Sequence, residues 1–168
     1  MIENTLNELF KIVEKETEIY SSILKLSKEK TDIIVAGKVG ELDSMVKVEQ
    51  SLMFEIMKLE DQRESILEKV AAHINVRKDE FNLSVLMQHL NVPLKEKVNI
   101  YQKNMMGIMD ELKNTNDLNS KLIKQALEYV DFSLNVMTST AVQNNSYGGT
   151  GNVQEPKTAG RSLFDIKL

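Results

Sequence analysis

The stretch LKNTNDLNSKLIKQALEYV (residues 112–130) decides the fold. Leu112, Asn116, Asn119, Ile123, Ala126 and Val130 follow one another at alternating spacings of four and three, which places them on one stripe of an α-helix. Upstream the stripe continues through Val98, Tyr101, Met105 and Met109, and downstream through Leu134 and Met137. Pro93 suits the first turn of such a helix, where its missing N–H costs nothing. A helix from Pro93 to Thr140 would be on the order of 70 Å long, with Gly107 inside it as a place to bend.

Two more helices precede it. Leu6, Leu9, Phe10, Val13, Tyr20, Ile23 and Leu24 predict one over residues 5–35. Gly37 and Gly40 interrupt the pattern, and Leu42, Met45, Leu52, Ile56, Leu59, Ile66 and Val70 predict a second from about Val39 to Ile74. In the 75–92 connection, Ser84 marks the start of a short helix over Val85–Leu90. No stretch alternates as a strand would. The period, close to 3.5, predicts an all-α antiparallel bundle of three long helices with coiled-coil-like packing. The expected division is a helical domain over residues 1–145 and a flexible tail over 146–168 with an apolar end.

The seams carry the wrong residues in places. Asn116 and Asn119 interrupt the third helix, Glu49 and Arg63 the second, Glu16 and Ser27 the first. Two readings follow. These groups satisfy one another inside a closed bundle and fix its register. Alternatively, the third helix waits for a partner helix that covers its amides, because an unpaired buried amide costs about 1–3 kcal/mol. Residues 133–146 favour the second reading, being rich in Ser, Asn and Thr and almost free of charge. Met105, Met106 and Met109 fit either gap-filling in a core or an adaptable binding face.

Several functions are excluded or disfavoured. A net charge of −4 does not provide the basic face that nucleic acid requires. With no Cys, thiolate metal sites and thiol nucleophiles are absent. Three residues before His73 and His89 stand Val70 and Leu86, so neither histidine makes the Glu-x-x-His pair of a di-iron bundle. The GGTG at 148–151 lacks the lysine of a phosphate loop. No apolar run spans a membrane, and the N-terminus carries acids within its apolar pattern. The expectation is a cytoplasmic protein with no enzymatic activity, no cofactor and no membrane insertion.

In this setting the ending SYGGTGNVQEPKTAGRSLFDIKL (146–168) stops the last helix and tethers Leu163, Phe164, Ile166 and Leu168. Those residues either fold back on the bundle or form a docking peptide.

AGKVGELDSMVKVEQSLMFEIMKLEDQRESIL (36–67) resembles the second helix of flagellar export chaperones of the FlgN type. Asn116, Asn119, Leu122 and Ile123 resemble that family's Asn-x-x-Asn-x-x-Leu-Ile segment, SYGGTG its Tyr-Gly-x-x-Gly, and GRSLFDIKL its short apolar end. The resemblance implies a small cytoplasmic helical chaperone that binds hook–filament junction (hook-associated) proteins and delivers them to the flagellar type III export gate. By position, the partner-binding residues would be Asn116, Asn119, Leu122, Ile123, Ala126, Val130, Leu134 and Met137, joined by Tyr147, Leu163 and Phe164 for client or gate. From a different class, a structural coiled-coil protein that closes its seams by self-association would use the same residues. A homodimer in the absence of client follows from either.

Overall fold

A computed structural model describes residues 2–144, with side chains from 3 to 139. These residues form four helices and no strand: α1 (Ile2–Val35), α2 (Val39–His73), α3 (Leu83–His89) and α4 (Val92–Asn144). The chain divides into two compact units, Met1–Glu128 and Tyr129–Leu168, with the boundary inside α4. Everything from residue 145 onward lies outside the described residues, including the predicted tail with Tyr147, Leu163 and Phe164.

Both long helices of the N-terminal half end in the same way. Gly37 takes a left-handed φ of 67°, its N–H donates to the Ile34 carbonyl, and the Lys38 N–H donates to Ile33. This is a Schellman motif, which satisfies carbonyls that the helix end would otherwise leave orphaned. At the end of α2, Asn75 takes φ 55°, and the Asn75 and Val76 N–H groups donate to Ala72 and Ala71. Asparagine is among the few residues other than glycine that visit this region readily. Gly40, expected to interrupt the chain, lies in the first turn of α2.

The short helix starts earlier than expected. Asn82, in extended conformation, accepts a hydrogen bond from the Val85 N–H at 3.0 Å and caps α3 in place of Ser84. Asn91 does the same for α4, accepting from the Leu94 N–H at 3.1 Å, with Pro93 in the first turn. The last helix is 53 residues long, begins one residue before Pro93 and extends past Thr140 to Asn144. It runs through Gly107, at which an added β-carbon would meet nothing within 4 Å.

Helices α1 and α2 run antiparallel. Glu16 meets Arg63, Tyr20 meets Glu60 and Lys30 meets Glu49. Helix α4 lies along α1 in the same direction: Phe10 stacks on Tyr101, Lys28 pairs with Glu111, and Thr31 bonds to Asn119. The antiparallel run of α2 makes this possible by returning the chain to the end where α1 begins, and the connection through α3 turns it there into α4. The main apolar core sits at that end, where Leu6, Leu9 and Phe10 meet Ile66, Val70, Leu86 and Leu90. Tyr101 closes over Phe10 with ring centroids 5.8 Å apart, and the Lys97 ammonium lies 4.5 Å from the Phe10 centroid.

Further along, polar groups join α1 to α4. Asn119 is 5% exposed and Ser27 is fully buried. The Asn119 side-chain N–H donates to the Ser27 carbonyl at 2.8 Å, and the Thr31 hydroxyl donates to Asn119 Oδ1 at 2.6 Å. The Ser27 hydroxyl donates to Asn116 Oδ1 at 2.6 Å. Among the described residues no buried polar side-chain atom lacks a partner. Of the two readings, the first holds for Asn119, which α1 satisfies, whereas Asn116 accepts from Ser27 through Oδ1 and is itself exposed.

Two measurements check this fold. Phe10→Ala should cost about 3–5 kcal/mol in urea unfolding, as large-to-small core changes do, while Phe132→Ala, at a residue 65% exposed, should fall within about 0.5 kcal/mol of wild type. Asn119→Leu should cost about 1–3 kcal/mol by stranding the Thr31 hydroxyl, and adding Thr31→Val should recover part of that loss in a double-mutant cycle.

Candidate partner-binding surface

Past Asn119 the character of α4 changes. One helical turn beyond Thr31, α1 ends at Val35. Within the first unit, the parallel register leaves residues 123–128 of α4 without α1 beside them. Leu122 is half-buried, Ile123 is 39% exposed, and Ala126 and Leu127 are exposed. In the second unit, Val130, Leu134 and Met137 are exposed too, Met137 to 70%. The predicted residues thus divide. Asn116 and Asn119 serve the α1–α4 contact, whereas Ile123, Ala126, Val130, Leu134 and Met137 are available to solvent.

The periodic reading missed part of this surface. Tyr129, Phe132 and Val136 are exposed on α4 at spacings of three and four. They lie off the stripe that the seam argument followed, and their signal was a second apolar stripe among residues with little charge. Isolated exposed apolar residues are ordinary, but contiguous ones mark interaction surfaces. Hydrogen bonds of Ser133, Thr138 and Ser139 to carbonyls of the preceding turn keep those hydroxyls occupied within the helix.

The remaining polar seam residues are accounted for inside the first unit. Arg63 Nε donates to Glu16 Oε1 at 2.9 Å, and Lys30 pairs with Glu49 at 2.6 Å, with both of the latter side chains largely buried. Burial raises the Glu16 carboxyl above its ordinary value, against the opposing pull of Arg63.

Met105, Met106 and Met109 line an open cleft of about 510 Å³ in the first unit, shared by α1, α2, the α3 region and α4. Among the described residues, no group of His, Asp and Glu is placed to hold a metal ion, and no helix is long and apolar enough to cross a membrane.

A Bacillus subtilis (strain 168) protein named "Uncharacterized protein YvyG" is 25% identical over 149 residues, spanning 89% of this chain and 90% of its own length. No solved structure matches the chain. The family model described as FlgN protein matches residues 1–155. With nearly its whole length matched, the chain belongs to the FlgN family of flagellar export chaperones.

Proposed function

We propose that this protein is a cytoplasmic chaperone that binds hook-associated (hook–filament junction) flagellar proteins and delivers them to the type III export gate. The observation that carries the reading is the uncovered apolar character of α4 beyond Asn119: Leu127 is 60% exposed, Phe132 65% and Leu134 52%. Family membership supports a flagellar export role. The physical argument supplies the mode of binding. An amphipathic helix of the client lays its apolar face along exposed residues of α4 such as Val130, Leu134 and Met137 of the second unit, where residues 133–139 carry no charge and so lose little on desolvation.

In this reading the three long helices act as an antiparallel bundle with coiled-coil-like packing. The Asn116–Asn119 contacts fix where on α4 the client site begins. Leu122 and Ala126 contribute to its edges. Tyr147, Leu163 and Phe164 contact the client or the gate. The protein performs no chemistry on its client, and its work is to keep a sticky helical segment from associating elsewhere before export.

The test is co-purification of the full chain with a hook–filament junction protein, wild type against Leu127→Lys/Leu134→Lys. Both residues are exposed, so helicity and melting should be unchanged. Client binding should fall at least about tenfold, equivalent to about 1.4 kcal/mol. A folded variant that retains the client at wild-type level would defeat the proposal. Sedimentation of the two proteins without client shows whether the same residues support a homodimer.

A further inference from the structure

The cleft in the first unit is lined by other residues than the α4 strip and is built differently. Leu67, Leu86, Met105, Met106 and Met109 give it an apolar lining, and its volume of about 510 Å³ falls within the roughly 300–1,000 Å³ of established ligand sites. Its α4 wall runs from Val98 to Met109, roughly 16 Å at the rise of an α-helix. That length matches about three turns of a guest helix and exceeds a single small molecule. Three methionines on one wall can repack around side chains of different shape. Met106, 59% exposed, stands at the mouth.

The charges are not balanced. The charged residues lining the cleft are Glu16, Glu60 and Arg63. Arg63 is committed to Glu16 at 2.9 Å. Glu60 receives only the Tyr20 hydroxyl, at the long distance of 3.5 Å, and no ion pair engages it among the described residues. Glu60 also acts on Glu16, adding to the upward push that burial gives that carboxyl. Glu60, exposed on the cleft and in no ion pair among the described residues, is therefore the carboxylate that a guest cation would meet. The register of α4 on α1 puts Tyr20, Glu60 and Met109 toward one end of the cleft, and Phe81, Leu86 and Val98 toward the other.

We propose that this cleft docks a short amphipathic helical segment of a partner protein. The segment sets a bulky apolar side chain against the methionine wall and a Lys or Arg against Glu60. This second binding site does not depend on the export reading, and it gives the chain a way to hold a partner while the α4 strip is occupied.

The experiment uses the full chain with 13C-labelled methionine ε-methyl groups and a synthetic 14-residue amphipathic helix with a Leu/Phe face and one Arg. A sibling peptide carries Glu in place of that Arg. The signals of Met105, Met106 and Met109 should shift on titration while those of Met45 and Met137 stay put. The Glu sibling should bind at least about tenfold more weakly. Glu60→Lys should reverse the preference, and Glu60→Gln should abolish it while leaving the methionine shifts in place. Glu60 is exposed, and the melting curves of both variants confirm their fold. Shifts at Met137 instead of the cleft, equal binding of the two peptides, or indifference to both Glu60 variants would overturn the proposal. So would methionine signals that depend on protein concentration without peptide, which would show a second copy filling the cleft.

Discussion

The contact between two hydroxyls on α1 and two amides on α4 sets the register on which the rest depends. Ser27 and Thr31 lie one turn apart and meet Asn116 and Asn119 at 2.6 Å each. Apolar seams slide at small cost, because one leucine is much like the next. The hydrogen bond of buried Asn119 to the Ser27 carbonyl does not slide, since displacing it leaves donor and acceptor unmet in a dry environment. Asn119 therefore acts as a ruler for which residues of α4 in the first unit face α1.

Much of the fold was legible because its signals are local. Gly37 ends α1 because the left-handed turn there asks for glycine, and glycine is the first residue suspected at such a place. The stripe from Val98 to Met137 predicts a long helix because its spacing persists through polar interruptions. The apolar pattern of α2 stops at about Ile74, and Asn75, the next residue, takes the left-handed turn that ends the helix. Ser84 marks the start of the short helix in the sequence, whereas Asn82 caps α3, and only the backbone shows which side chain reaches an amide.

The functional surface was legible in a different proportion. The sequence placed polar groups on all three seams, including Ser27, but pairing is a property of register, and register depends on the long connection through α3. Of the two readings of the seam amides, Asn119 follows the first, being bonded inside the chain, while Asn116 and the apolar residues that follow are exposed. Membership of the FlgN family agrees with the resemblance carried by residues 36–67 and 112–123. The methionine group offered two readings from sequence, and the cleft it lines combines an apolar lining with an incomplete set of charges.

The apolar interior around Phe10, Val70 and Leu86 shares no side chain with residues 123–137 of α4. In the proposed role, cargo gripped by those residues would be stripped away without any interior side chain having to move, and unloading would leave the carrier intact and ready for another round.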